Sequence, residues 1–375
     1  MTEFIRTFHP IGQGAFYSEK HIFSNETSCT IVYDCGSETF NKTILQKKIN
    51  ASLFKSKSSN NIDILFISHF HQDHINGIKY LNPRIIIIPM LSDDDIIMLK
   101  VFNTILGAKY DIDFASDPRS FFPNSKIIKV EPTDDNLTSE TDVSTLNDLL
   151  DGANEETINS GKHILLNHQQ LSWVYIPFNY NFKGKKDIFK KEIAAQGLIF
   201  EKLNEPSYIT KEAAKIRKAT KKMKGGPNEQ SLIVYSGPCN EGNFIDIYMP
   251  NIKSCIHFHN RNWESGCLYL GDSTITDDLL QQLYNKIGKY EKSLGTIQIP
   301  HHGSRDSYSE LIIQKYSNPF QQYSPQKINF IISCGILNRH GHPSDYVVEH
   351  LLSHGYLLNI VTEQPFSILI QKGFY

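Results

Sequence analysis

With 375 residues the chain is long enough to bury a sizeable core, either as one large α/β domain with an insertion or as two domains. A formal net charge of -2 excludes a global electrostatic pull on nucleic acid and leaves a local basic groove open, because recognition depends on where the charge lies. No stretch approaches the roughly 18 apolar residues of a membrane span, and the start Met1-Thr2-Glu3-Phe4-Ile5-Arg6-Thr7-Phe8 lacks a basic segment followed by an apolar core, so a cytoplasmic, soluble protein with no membrane partner is expected.

Along the chain, Gly12-Gln13-Gly14 is not a nucleotide cradle, since no Gly-Lys-Ser/Thr ending follows it. Ser28 to Tyr33 reads as a strand, Phe40 to Phe54 as a helix, and Ile62 to Ile67 as a buried strand. Pro83-Arg84-Ile85-Ile86-Ile87-Ile88-Pro89 has the β-branched run and proline boundaries of an interior strand. Alternating elements of this kind fit a layered α/β fold. Directly after the second strand, Ser68-His69-Phe70-His71-Gln72-Asp73-His74-Ile75-Asn76-Gly77 crowds three imidazoles and a carboxylate together. A strand ending in such a cluster predicts a metal site, and the imidazole and carboxylate donors suit divalent zinc, manganese or iron.

From Asp93 to about Gly226 the pattern changes. Asp134 to Asn147 is polar and acidic, Leu171 to Pro177 is strand-like, and Lys183 to Lys224 alternates lysines with apolar residues at helical spacing. Lys218, Lys221 and Lys222 in this basic stretch are candidate phosphate contacts. The competing reading is a solvated helix face using acidic partners such as Glu192 and Glu212. After Gly225-Gly226-Pro227, the segment Asn228-Glu229-Gln230-Ser231 leads into a strand, and Cys267 to Leu270 reads as a strand ending near Asp272. His301 and His302 follow Pro300, and a helix is expected from Ser344 to Ser353. His257 and His259 read as strand or loop residues rather than ligands, and His9, His21, His163, His168, His350 and His354 show no ligand spacing. Six dispersed cysteines, Cys29, Cys35, Cys239, Cys255, Cys267 and Cys334, with no Cys-x-x-Cys pair, read as reduced core thiols.

The form His69-x-His71-x-Asp73-His74 resembles the first metal motif of metallo-β-lactamase-fold hydrolases. Ile31 to Ser37, with Asp34, is similar to their early strand, Leu268 to Ser273 to the strand bearing the bridging aspartate, and Pro300-His301-His302-Gly303-Ser304 to their late histidine motif. That last form, with Ser333-Cys334-Gly335, Arg339-His340-Gly341-His342-Pro343-Ser344 and Asn228-x-x-Ser231, resembles the ComEC-like branch. The resemblance covers residues 1 to about 100 and about 226 to 375. It implies an α/β fold, an αββα four-layer sandwich with a helical insertion: 1–100 as the N-terminal half, 101–225 as a partly helical, basic insertion, and 226–375 as the C-terminal half.

It also implies two divalent metal ions, zinc or manganese. His69 and His71, two apart, can point their rings to one side and hold one ion, with Asp73 and His74 facing the other and Asp272 bridging. One of His301 and His302 completes the second site and the other meets the substrate; Asp73 counts among the catalytic groups as well as the ligands. Asp34, Asn228 and Ser304 are expected behind the ligands, Asp34 fixing the tautomer of a ligand imidazole. Asn228 stands where many such enzymes carry a further histidine, which weakens one ligand set.

Two such ions, roughly 3.5 to 4 Å apart, present hydroxide at neutral pH and neutralise an attacked phosphoryl centre. The expected function is therefore metal-dependent phosphoester hydrolysis, by a nuclease or phosphodiesterase acting on nucleic acid or a nucleotide through a metal-bridged hydroxide. His342 is the expected proton donor to the leaving alkoxide, because imidazole titrates near the working pH, and His340 is second. The alternatives are a small-molecule phosphodiesterase or esterase with the insertion as a lid, and a partner-regulated hydrolase subunit of a bacterial defence complex whose insertion docks protein partners.

Overall fold

In the strand Asn82–Pro89, Ile85 and Ile87 face one apolar cluster and Ile86 and Ile88 another. Side chains alternate across a strand, so a continuous apolar run is what burial on both faces requires. Its neighbours Asn61–Phe66 and Lys126–Val130 pair with it in parallel. The same logic sets the whole molecule, a computed structural model that describes residues 3–53, 61–133, 142–152, 155–168, 171–182, 184–222, 231–240, 245–250, 255–258, 263–314 and 328–374.

Two sheets are built from these residues. The first runs, in spatial order, Cys255–Phe258, Asp246–Pro250, Leu369–Phe374, Glu3–Phe8, Phe16–Ile22, Ser28–Cys35, Asn61–Phe66, Asn82–Pro89, Lys126–Val130 and Glu155–Ile158. The second runs Leu357–Val361, Asn329–Ser333, Leu294–Gln298, Gly266–Tyr269, Leu232–Pro238, Leu171–Asn179, His163–His168 and Val143–Thr145. Phe4, Phe8, Tyr33, Phe66, Trp173, Tyr175, Val234 and Tyr269 fill the space between them. On the outer face of the first sheet the helix Lys42–Leu53 buries Leu45 and Ile49 against Val32, Leu65 and Ile86. On the outer face of the second, Asp277–Ile287 and Asp345–Ser353 bury Leu279, Leu283, Val347 and Leu351. This is the four-layer αββα arrangement of the metallo-β-lactamase fold.

The middle of the chain divides differently from the expected insertion at 101–225. Lys126–Val130 and Glu155–Ile158 extend the first sheet, while Val143–Thr145, His163–His168 and Leu171–Asn179 extend the second. The helical part packs separately: Asp93–Leu106 meets Lys185–Ala195, Pro206–Lys211 and Ala213–Thr220 through Val101, Phe102, Phe189, Ile193, Ile209 and Ile216. The lysine-rich stretch holds three short α-helices: Gly197, which turns with φ +71°, and Pro206 separate the first from the second, and Glu212 separates the second from the third. None of the described helices is long and apolar enough to cross a membrane.

One polar cluster lies within the inter-sheet core. The Arg6 guanidinium, fully buried, donates to Glu19 at 2.7 Å, to the Ser265 carbonyl at 3.0 Å and to Gln371 at 3.0 Å. Glu19 also accepts from Ser236 at 2.6 Å, Tyr269 at 2.8 Å and Tyr175 at 2.9 Å. Burial alone would raise the pKa of Glu19, but Arg6 and these donors outweigh it and the net shift is downward. A carboxylate lowered in the folded state stabilises above its unfolded pKa and loses that contribution as pH falls. Glu19→Gln, which leaves the Arg6 charge buried without a counter-ion, is expected to cost about 3 to 5 kcal/mol at neutral pH in urea unfolding. The gap to the wild-type chain should narrow as the pH drops below about 4; a gap that is absent, or that widens in acid, would contradict the assignment.

Candidate metal centre

The chemistry-bearing side chains collect where parallel strands end. Ser28–Cys35 and Asn61–Phe66 are parallel neighbours in one sheet, and Gly266–Tyr269, Leu294–Gln298 and Asn329–Ser333 are parallel neighbours in the other. Asp34 closes the first of these strands, His69 to His74 follow the second, Asp272 the third, His301 and His302 the fourth, and Ser333 ends the last. Crevices at the carboxyl ends of parallel strands are the usual ligand sites of α/β sheets.

Asp272 is the hub. One carboxylate oxygen faces His69 Nε2 at 3.6 Å and His301 Nε2 at 3.7 Å; the other faces His74 Nε2 at 3.2 Å and His302 Nε2 at 4.0 Å. His302 Nε2 also lies 3.2 Å from Asp73. Two groups of three potential ligands result, His69 with His74 and Asp272, and Asp73 with His74 and His302, all buried. The Nε2 atoms of His69 and His74 are sealed from solvent and meet no acceptor in hydrogen-bond geometry among the described residues. Buried polar atoms ordinarily have partners, so two imidazole nitrogens aimed at one carboxylate fit an ion between them. The donor set of neutral imidazole and carboxylate fits a borderline or hard divalent cation.

Behind these ligands stands a frame of fixed donors and acceptors. His74 donates from Nδ1 to Asp34 at 2.8 Å, and Asp34 accepts as well from the Ser68 amide at 2.7 Å and hydroxyl at 2.6 Å. This fixes the tautomer that leaves Nε2 of His74 open. His302 donates from Nδ1 to the Ser333 carbonyl at 2.8 Å, and His301 Nδ1 meets the Ser307 hydroxyl at 2.9 Å. The Ser68 and Ser231 hydroxyls lie 2.9 and 3.3 Å from His69 Nδ1. Ser231 Oγ also accepts from the Asp272 amide at 3.0 Å, and Gln298 Oε1 accepts from the amides of Leu270 and Gly271. Gly271 sits at φ +56°, and a Cβ there would come within 2.8 Å of the Cβ atoms of Ser68 and Ser231, so the turn that delivers Asp272 admits only glycine.

Electrostatics follow from the packing. Burial opposes charge on Asp73 and Asp272, but the surrounding imidazoles outweigh it and hold both well below the usual carboxylate range. Burial and the neighbouring His74 drive His69 well down, so it is neutral and ready to donate a lone pair. For His74 and His302 burial is overcome by the aspartates and the pKa rises. His301 and His302 both have left-handed backbone, φ +50° and +56°, which is costly for residues with a Cβ and is held here by the surrounding turn.

The expected ligands assemble with two changes of partner. His69 meets His74, ring centroids 4.2 Å apart, rather than His71, whose ring lies 6.3 Å from that of His69. The reason is local: His71 is still extended at φ -76°, ψ 144°, and the helix Gln72–Ile75 that starts after it turns His74 under His69. His71 instead meets Asp73 through Nδ1 and stands beside Tyr110, at a more open position. Of the late pair, His302 is buried and joins Asp73 and His74, while His301 sits nearer the rim with about a third of its side chain exposed.

His342 lies 5.5 Å from His301, ring to ring, and His340 lies 5.9 Å beyond it. Burial and the neighbouring His301, His302 and His340 push the His342 pKa down to about 4. Ser304 closes the turn through its amide, donating to the His301 carbonyl at 2.9 Å, but the hydroxyl at His301 belongs to Ser307. Asn228 and His259 lie outside the described residues. Sequence reasoning assigned no role to Ser68, Tyr110, Gln298 and Ser307, and named Ser231 only as part of the Asn228-x-x-Ser231 form.

Residues 25–150 match the family model of the Metallo-beta-lactamase superfamily, a third of the chain that includes Asp34 and the His69 to His74 cluster. Two solved structures are similar in fold at low identity. A long form RNase Z from yeast aligns over 89% of this chain and 37% of its own length, with 9% identity and a TM-score of 0.33. The unliganded yeast PDE1 aligns over 100% of both chains, with 12% identity and a TM-score of 0.41. The chain therefore spans little more than a third of the length of that RNase Z. No curated protein sequence matches it.

Removing the acceptor behind His74 tests the frame. Asp34→Ala should weaken zinc binding about 10- to 100-fold in competition with a chromophoric chelator, with the fold verified by thermal melting; an unchanged affinity would mean that Asp34 does not orient a ligand.

Proposed function

We propose that this chain is a metal-dependent hydrolase of phosphoester bonds that acts on a phosphodiester in nucleic acid or a nucleotide. The observation that carries this reading is that the two oxygens of Asp272 face different imidazoles, one His69 and His301, the other His74 and His302 with Asp73 beside them. His74 has only Nε2 to give and serves one ion: Asp73, His74 and His302 would hold one divalent ion at one oxygen of Asp272, and His69, with His301 and His71 in the same crevice, would hold a second at the other oxygen. Zinc and manganese both suit this mixture of imidazole and carboxylate. Ions so placed supply an activated water at neutral pH and neutralise the charge of a phosphoryl group. The likeness of Pro300 to Ser304 and of Arg339 to Ser344 to the ComEC-like branch supports a nuclease preference within that class.

The protein's own groups do the rest. Asp34, Ser68, Ser231 and the Ser333 carbonyl keep the ligand rings in one tautomer and one direction. His301 and His342 face each other at the rim, where a substrate must pass. The ion pairs of the basic helices favour the second reading, a small-molecule phosphodiesterase. Lys186 pairs with Asp95 at 3.0 Å, Lys190 with Asp94 at 2.5 Å, Lys215 with Glu212 at 2.8 Å and Lys222 with Glu192 at 2.8 Å, so much of that positive charge is already matched. Lys218 and Lys221 are exposed on the same cluster and are the cations a nucleic acid would use.

The test is turnover of bis(p-nitrophenyl) phosphate, a dinucleotide, and single- and double-stranded DNA and RNA, with zinc or manganese supplied. Asp272→Ala should lower kcat by about a thousandfold or more on every substrate that the wild-type chain cleaves. Turnover that survives this change would refute the assignment of the site. If nucleic acid is the substrate, charge reversal at Lys218 and Lys221 should flatten the salt dependence of its binding; an unchanged slope would leave these lysines as a solvated face.

A further inference from the structure

We infer that a cavity behind the helix Gln72–Ile75 is a binding site for a small aromatic anion, separate from the metal centre. Gln72, Ile75 and Asn76, three and four apart, share the face of that helix which lines the cavity, whereas Asp73 and His74 belong to the metal centre. No candidate metal ligand lines the cavity. Its opposite wall comes from Asp111, Phe114, Phe121 and Phe122, in the segment that the short helices Ile112–Ser116 and Pro118–Phe121 fold. The enclosed volume is about 430 Å³. That falls in the range of roughly 300 to 1,000 Å³ in which small molecules are bound.

The floor is apolar, because Ile75, Ile78, Leu81, Phe114 and Phe122 belong to the buried cluster under the first sheet's outer face. Phe121 differs from them: it is 46% exposed, yet it packs on Phe114 with ring centroids 5.4 Å apart. An exposed phenyl at the lip of an apolar cavity offers area to a flat ring, and aromatic partners gain from it beyond simple burial. This sets the body of the ligand as aromatic.

Its charge follows from which polar groups are already engaged. Asp111 accepts from the Phe114 amide at 3.1 Å and from the Gln72 side chain at 3.3 Å. The Asn76 side chain exchanges hydrogen bonds with Ser37, at 3.0 Å from its amide and 2.7 Å to its carbonyl. Asn82 donates to Asn61 and the Ser125 hydroxyl to the Pro83 carbonyl, both at 2.6 Å. Two cations are left. Lys42 and Lys79 are exposed on the cavity wall and form no ion pair among the described residues. The Tyr80 hydroxyl donates to the Lys42 carbonyl at 3.3 Å, which brings the two lysines to the same side, and Lys79 Nζ lies 5.2 Å from the centre of the Tyr80 ring. Two ammonium groups without counter-ions beside an aromatic floor call for a ring that carries a carboxylate, sulfonate or phosphate.

The experiment is equilibrium dialysis of the zinc-loaded full chain against 1-naphthalenesulfonate, an aromatic anion with no hydrolysable ester. The comparison compounds are 1-naphthalenemethanol, which lacks the charge, and methanesulfonate, which lacks the ring. Naphthalenesulfonate should bind with a Kd below about 1 mM, and each comparison compound at least about tenfold more weakly. Lys42→Glu combined with Lys79→Glu should weaken naphthalenesulfonate binding about tenfold or more, and Phe121→Ala about fivefold. All three side chains are exposed, so thermal melting should be close to that of the wild-type chain. Should Phe121→Ala melt early, the lysine variant decides. Absence of binding, equal binding of the uncharged alcohol, or binding unchanged in the lysine variant would overturn the site. Binding that vanishes when a chelator strips the zinc would overturn it too, because the anion would then sit on the metal centre.

Discussion

A buried carboxylate must be compensated, and Asp272 is compensated by four imidazoles at 3.2 to 4.0 Å. The rest of the centre depends on keeping that carboxylate where it is. Gly271 makes the turn without a Cβ, Gln298 and Ser231 take up the amides of the turn, and the rings around Asp272 are themselves held from behind by Asp34, Ser68, Ser307 and the Ser333 carbonyl. Each sheet supplies part of this arrangement. The first provides Asp34 and His69 to His74, the second Asp272, His301 and His302, and the inter-sheet core fixes the distance between them. The site is thus a property of the packed sandwich rather than of any one loop.

Much of this was legible in the chain because the chemistry is concentrated. Three imidazoles and a carboxylate at the end of an apolar strand have few structural uses, and Asp272 and the His301-His302 pair follow other strands in the same way. Partner choice was not legible, because it turns on backbone detail. That His69 meets His74 depends on the helix beginning after His71, and that His302 rather than His301 is buried depends on two consecutive left-handed residues. Ser68 and Gln298 gave no signal of their own, and Ser231 only through the Asn228-x-x-Ser231 form, since a serine or glutamine beside an apolar run reads as ordinary surface until the other sheet is placed against it. The surroundings of His342 were not legible for a similar reason: the burial among other imidazoles that lowers its pKa comes from residues distant in sequence.

The architecture was legible at the level of layers and less so in the middle of the chain. Ile85 to Ile88 announced a strand buried on both faces, and the αββα arrangement bears out the fold that the motifs implied. The stretch 101–225 looked like an insertion because its charge and periodicity change. Its strands nonetheless continue both sheets, and only the helices from 185 to 220 stand apart with Asp93–Leu106. Lys186, Lys190 and Lys222 are matched by Asp95, Asp94 and Glu192, and the first two of these pairs join segments too distant in sequence for spacing to reveal.

The central claim is that Asp272 stands between two metal ions. Anomalous scattering from crystals of the chain grown with zinc, recorded on both sides of the zinc absorption edge, tests it most directly. Two peaks are predicted on either side of Asp272, one beside His69 and one beside Asp73, His74 and His302. A crystal with zinc bound elsewhere, or with none in this crevice, would contradict the account.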